Sequence, residues 1–322
     1  MSPRHRRLLP WIALFVIYVV WGSTYMAIRI AVRELPPMAA ACLRFLVAGV
    51  VMALVAAVVH RPWRWPTRRQ WLDYSLIGVL FLGLGNAFVM WSETRIPSGI
   101  AALIVATVPL WLTLLDGLRP GGQPWTVRAW LGTLVGLAGA ALVARPQGGV
   151  APGHWPGIVA LEVATISWAV GALYSQSVKE RLPLFTAAAV EMLAGSAALL
   201  GESALMGDDW GRVAQASSSA WLAMLYLVVF GSLVGFTAFA YCLNELPATT
   251  VGTYAYVNPV VAVALGAIFL HEPLSPSLLA GAGLILIAVI LTTTARMRRA
   301  APRPVSPPPA VVAVPKAASA RS

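Results

Sequence analysis

Three ionisable side chains, Arg44, Glu162 and Glu191, lie deep inside long apolar runs of this 322-residue chain. At the centre of a bilayer a charge costs at least ~2.5–3.5 kcal/mol on insertion scales, so such a group must face protein, find a partner or give up its charge. A carboxyl in apolar surroundings favours its protonated form and can exchange a proton when its surroundings change. Glu191, among alanines and leucines, is the leading candidate proton carrier and Glu162 the reserve. The alternative for both is a neutral, hydrogen-bonded carboxyl that only joins helices. Arg44 reads as a structural residue that snorkels or pairs with an acid.

A second kind of chemistry is written in aromatic and amide side chains at helical spacing. Thr250, Tyr254 and Asn258 recur every four residues, which puts them on one helix face. Asn86, Met90 and Glu93 share another face with Trp91 beside it; Trp21 and Tyr25 are one turn apart; Ser167 and Tyr174 flank Trp168. Polar stripes in apolar helices face a cavity or glue helices together. A pocket built from Trp21, Tyr25, Asn86, Trp91, Glu93, Trp168, Tyr174, Tyr254 and Asn258 would take flat, hydrophobic or cationic cargo. Pro109 and Pro259 fall within apolar runs, where each removes a backbone hydrogen bond and makes either a hinge or a static kink.

Catalytic chemistry finds no support. The four histidines (His5, His60, His154, His271) lie at loops or span ends and form no pair, and neither HExxH, GxSxG nor a phosphate loop occurs. Cys42 and Cys242 are the only cysteines and fall near opposite ends of the expected spans, so neither a disulfide nor a metal site is expected. No catalytic residue, metal or cofactor is therefore assigned. A membrane-embedded enzyme and a non-transporting sensor or scaffold remain the rival classes to a carrier.

The elements that must position these groups are membrane spans. Residues hydrophobic by type make up 59% of the chain and charged residues 11%, against ~25% charged in a typical soluble domain. Stretches at 11–31, 37–59, 72–93, 97–117, 126–145, 154–178, 183–206, 220–243, 247–270 and 276–295 are apolar. About 20 such residues cross the hydrocarbon layer as a helix. Pro36-Pro37, Pro97, Pro183 and Pro247 mark helix starts, where a missing N–H costs least. Trp11, Trp63, Trp65, Trp71, Trp125, Trp130 and Trp155 lie at span ends and read as an interfacial belt.

With the N-terminus in the cytoplasm, 17 of the 23 Lys and Arg residues fall on the cytoplasmic side and five outside. That bias predicts cytoplasmic termini. The net charge of +11 is spread over separate loops facing anionic lipid and the tail, with no module for nucleic acid. Gly132, Gly136 and Gly139 form a small-residue face that suits close helix packing or a homodimer contact. The partners expected are thus a small-molecule substrate, the lipid bilayer and a second copy of the chain.

The second five stretches repeat the first five. Ile96-Pro97 aligns with Leu246-Pro247 and Pro109 with Pro259; in that register Gly85 meets Gly235, and at an offset of 146 Pro37 meets Pro183 and Gly49 meets Gly195. An odd number of spans per copy inverts the second copy in the membrane, a transporter architecture with its site between the halves. The expected organisation is a short cytoplasmic N-terminus at 1–10, five-helix repeats at 11–145 and 154–295, and a disordered, basic, proline-rich tail at 296–322.

The segments WGSTYMAIRIAVRELPP (21–37), CLRFLVAG (42–49), IPSGIAALIVATVPLW (96–111), TISWAVGALY (165–174) and TYAYVNPVVAVALGAIFLHEPL (253–274) resemble the EamA repeat of the drug/metabolite transporter superfamily, most closely that of YedA-type exporters. The resemblance covers about residues 8–296. It implies an all-α polytopic fold of ten transmembrane helices in two inverted five-helix repeats, cytoplasmic termini and export of small organic solutes across the bacterial inner membrane. One departure is Glu272, which has no counterpart in LDGLRPG (115–121).

Overall fold

Proline and side-chain caps set where the helices begin. The structure, a computed structural model, describes residues 3–60, 65–120, 127–143, 152–246, 251 and 254–300. Helix α1 covers Pro3–Ala31 and α2 covers Pro37–Val59, entered through an extended Pro36. Helix α3 is composite: Arg68–Gly78, a π-helical stretch Val79–Asn86, then Ala87–Ser92. It starts four residues before the apolar run because Thr67 and Gln70 form a capping box, which satisfies two otherwise orphaned N–H groups. Helix α4 is also composite, Ser98–Val105 and Val108–Leu118; α5 is Val127–Val143 and α6 Trp155–Ser177. Helix α7, Leu184–Met206, ends on Gly207 in the left-handed region at φ 68°. Helix α8 runs as Ser218–Tyr226, a π-helical stretch Leu227–Val234 and Gly235–Glu245. Helices α9, Tyr254–Leu270, and α10, Pro276–Ala300, follow.

Among the described residues every regular element is helical, with no strand. Among the described residues, seven helices are long and apolar enough to cross a membrane: Leu8–Ala31, Pro37–Val59, Arg68–Ser92, Ser98–Leu118, Trp155–Ser177, Leu184–Met206 and Ser218–Phe239. The other three stretches read from sequence hold shorter apolar helices, Trp130–Leu142, Val257–Leu270 and Pro276–Leu291. The disorder expected from residue 296 begins too early. Helix α10 continues through Arg296 to Ala300, since Ala, Arg and Met are strong helix formers. Residues 301–322, with the helix start expected at Pro247 and the polar position Thr250, lie outside the described residues.

Packing joins the two halves. Helix α1 lies against α9 and α8, while α6 lies against α4 and α3, so the first helix of each half docks into the other half. Helix α2 pairs with α7 and α5 with α10. Gly136 and Gly139 face α10, the latter against Gly281 and Ile285, so these two glycines serve close packing within the chain. The largest buried cluster joins α1, α2, α3, α7 and α8 around Phe45, Met90 and Met192. Leu54, Val58, Leu76, Leu222, Ile268 and Phe269 are exposed, the apolar exterior that a helix bundle in lipid presents.

Candidate functional site

A cavity of ≈ 340 Å³ opens between the halves, walled by residues of α1, α2, α3, α4, α6, α8 and α9. Six of the nine residues expected in a pocket line it: Trp21, Tyr25, Asn86, Trp168, Tyr254 and Asn258, together with both prolines, Pro109 and Pro259. They meet because the helical spacing that put each pair on one face also points those faces toward a common axis.

The two tryptophans occupy matched seats. Trp21 of α1 packs on Gly235 of α8, and Trp168 of α6 packs on Gly85 of α3; a Cβ at either glycine would run into the indole. The register that aligned Gly85 with Gly235 thus marks two equivalent helix crossings. Trp21 is the more firmly held, its Nε1 donating to the Gly231 carbonyl at 3.1 Å. Its ring meets Phe236, Phe239 and Tyr254 at centroid distances of 5.8, 5.2 and 5.3 Å. Trp168 has the Phe81 ring at 4.8 Å.

The prolines differ in effect. At Pro109 helix α4 is interrupted at Ala106–Thr107. There the chain tightens, Thr107 N–H donating to Ile104 O at 2.9 Å and Leu110 N–H to Thr107 O at 2.8 Å. Thr107 and Thr113 hydroxyls return to the Ile104 and Pro109 carbonyls at 2.7 and 2.8 Å, satisfying main-chain groups near the break. Pro259 instead lies inside a continuous α9. With its amide nitrogen turned to the two carbonyls it faces, Asn258 donates to Tyr18 O at 3.3 Å and Tyr254 O at 3.1 Å. That tie fastens α9 to α1 beside the proline, and Val108, the residue before Pro109, has no group to make one.

Three expected pocket residues lie elsewhere. Trp91 lies under the Arg95 guanidinium, 3.6 Å from its ring centroid. Glu93 caps the end of α3 with 0% exposure. Neither of its carboxylate oxygens has a hydrogen-bond partner among the described residues, and Arg29 donates to its main-chain carbonyl. The Tyr174 hydroxyl donates to Asp73 at 2.7 Å, near the start of α3. All three lie toward the C-terminal ends of α3 and α6, beyond the stretches of those helices that line the cavity.

The two candidate carboxyls also stand apart from the lining. Glu162 accepts from Trp111 Nε1 at 3.0 Å and lies 3.5 Å from the hydroxyl of Thr165, which does line the cavity. Glu191 is half-buried and presents its main chain to Gly78, where α3 and α7 touch so closely that a Cβ would not fit. Arg44, read from sequence as a snorkelling or paired residue, points inward instead and lines the cavity at 4% exposure. A signal for this was available: Ala40, Ala48 and Met52 flank it at four-residue spacing, and all three are buried, so Arg44 is on the packed face of α2 and cannot reach the interface.

The profile of the EamA-like transporter family matches residues 9–145 and 155–294. An uncharacterized inner membrane transporter of Escherichia coli K12, YedA, is 39% identical over 293 residues, covering 90% of this chain and 92% of the relative. A probable terminal-alkyne amino-acid exporter of Streptantibioticus cattleyicolor is 28% identical, over 87% of this chain and 91% of the relative. A solved crystal structure superposes with a TM-score of 0.62 at 23% identity, over 90% of this chain and 98% of the other, a likeness of fold alone.

Proposed function

The chain belongs to the EamA-like transporter family, and from that premise we propose that this multi-pass membrane transporter is a secondary exporter of small organic solutes working by alternating access. Its ten helices form two inverted five-helix repeats in a bacterial inner membrane, with both termini cytoplasmic. The observation that carries this reading is the cavity walled by helices of both halves. A site between repeats opens to alternate sides when one repeat tilts against the other. The relative named as an amino-acid exporter supports the outward direction. Cargo binds against Trp21, Tyr25, Asn86, Trp168, Tyr254 and Asn258, and the break at Pro109 lets α4 bend.

Uphill export needs an energy source, and a chain with no nucleotide-binding motif draws on an ion gradient. Proton exchange at a half-buried carboxyl fills that role. Glu162 now stands ahead of Glu191, because it is linked to the lining through Thr165. Counterflow in proteoliposomes tests the reading. Saturable exchange of internal for external solute is expected, and it should be lost in Asn86→Ala, Tyr254→Ala and Asn258→Ala at unchanged protein level. Wild-type affinity in all three variants would move the site elsewhere, and flux without saturation would refute a carrier. Glu162→Gln should uncouple flux from external pH; full uphill pumping by Glu162→Gln and Glu191→Gln alike would remove both carboxyls from the coupling.

A further inference from the structure

Resting on the carrier reading, we propose that the cavity selects an organic anion, a monocarboxylate with a flat apolar body, and that Arg44 is the residue that binds its carboxylate. Of the described residues that line the cavity, Arg44 is the one that carries a formal charge, with no Asp, Glu or Lys among them. The guanidinium is satisfied on one side only. Nε donates to the Ser232 hydroxyl at 3.1 Å, while the NH1 nitrogen is buried with no hydrogen-bond partner among the described residues. A buried, unpaired guanidinium is a costly arrangement that a bound anion relieves, and its planar fork matches a carboxylate with two parallel donors.

The surroundings keep that fork clear. The NH2 nitrogen stands only 3.0 Å from where a Cβ at position 231 would be, and Gly231 supplies none. The Thr24 side chain approaches the same point at 3.0 Å, but its hydroxyl is already committed to the Trp21 carbonyl at 2.6 Å. Beyond the guanidinium the walls turn apolar and aromatic, with Val89, Leu112, Trp168 and Phe236. One cationic donor beside an apolar chamber fits a solute with one anionic end. It argues against the cationic cargo that an aromatic pocket alone would suggest, since an ammonium there would meet an uncompensated like charge. A cavity of ≈ 340 Å³ lies at the small end of the ~300–1,000 Å³ range of ligand pockets, which restricts the body to about one ring system.

The test is equilibrium binding to purified protein in lipid nanodiscs, read by tryptophan fluorescence. The probes are 3-phenylpropanoate, indole-3-propanoate and hexanoate, each beside its uncharged amide, and 2-phenylethylammonium. At least one acid is expected to bind on the order of tenfold or more tighter than its amide, as a charge-assisted bidentate contact should, with the ammonium not binding. Arg44→Gln should erase the margin between acid and amide. Arg44→Lys, which keeps the charge and guards against a folding defect, should keep the preference for acid at weaker affinity. Acids and amides that bind alike to the wild type overturn the proposal, as does no binding of any acid, or a margin unchanged in Arg44→Gln. Counterflow is read separately. Acid-selective binding without saturable counterflow keeps Arg44 in this role and refutes the carrier; counterflow indifferent to solute charge does the reverse.

Discussion

Glu272 and Glu34, two of the carboxylates that cross from one half of the molecule to the other, are built to different depths. Glu272, in the loop after α9, accepts from Ser98 N–H at 2.8 Å, Gly99 N–H at 3.1 Å and the Ser98 hydroxyl at 2.9 Å. Glu34, in the loop after α1, accepts from Ser217 N–H and the Ser217 hydroxyl, both at 2.7 Å. Ser98 is fully buried, at 0% exposure, and Ser217 is exposed. Helix α8 already has its cap, the Ser217 hydroxyl accepting from Ala220 N–H, so Glu34 is an addition to it. Helix α4 begins on Pro97 with no side-chain cap of its own, and its buried N–H groups are met from the other half. A helix end buried without an acceptor is costly, so the deep contact latches the halves and the shallow one trims them.

The backbone before Glu272 is shaped for this contact. His271 lies in the left-handed region at φ 55°, and Glu272 N–H returns to Gly266 O at 3.1 Å. The left-handed position at a helix end is usually taken by glycine. Glu272→Ala should produce the larger loss of the two crossings. Two orphaned, buried N–H groups and a lost charge-assisted contact amount to about 3 kcal/mol. Ser98→Ala removes one hydroxyl and should cost about 1 kcal/mol. Melting in detergent ranks them; a Glu272→Ala protein that melts with the wild type would make the two crossings equal and end the comparison.

The same inequality between halves recurs at the tryptophan seats, at a smaller scale. A methyl at Gly235 would press on an indole that is pinned to Gly231 and ringed by three aromatic side chains. One at Gly85 would meet Trp168, 3.0 Å away, which has a single ring neighbour among the described residues and the cavity beside it. Overpacking costs about 1–3 kcal/mol, partly offset by the roughly 1 kcal/mol gained when alanine replaces a helical glycine. Gly235→Ala should therefore destabilise by about 2 kcal/mol and Gly85→Ala by about half as much or less. Paired melting curves decide it, and equal shifts would mean that the two seats are equivalent after all.

Much of this frame was legible from residue types. Apolar runs, proline starts and the paired registers located the helices, and helical spacing brought six of nine pocket residues to one cavity. What escaped depended on contacts between distant segments. The π-helical stretches in α3 and α8 carry no proline to announce them; they are visible only once the helices cross. Pro109 and Pro259 read alike, yet one interrupts its helix and the other does not, and Val108 against Asn258 is the local difference. Glu272 stood out for lacking a counterpart, but its partner lies 174 residues away. Arg44 reads from sequence as a charge that snorkels or pairs with an acid, and its place in the cavity wall follows only from the helices packed around it.

The smallest expected effect is the one at Glu34, and its dependence on pH is what distinguishes it from packing. Two donors, the Ser217 N–H first and its hydroxyl second, hold the Glu34 carboxyl below the usual carboxylate range. A carboxylate depressed in the folded state contributes stability that is present above its unfolded value and is lost as pH falls through its folded value. Glu34→Gln keeps the shape: its oxygen accepts from Ser217 N–H and its amide donates to the hydroxyl, so the substitution removes only the charge. Wild type and variant should differ slightly in melting temperature near neutrality, with the wild type higher. The gap should close as the solution is acidified, when protonated Glu34 comes to resemble Gln. Every other titrating group is common to both proteins and cancels in the difference. A gap that persists unchanged into acid would assign the effect to packing, and no gap at neutral pH would leave Ser217 the whole cap of α8 and Glu272 the one carboxylate of the pair that joins the halves.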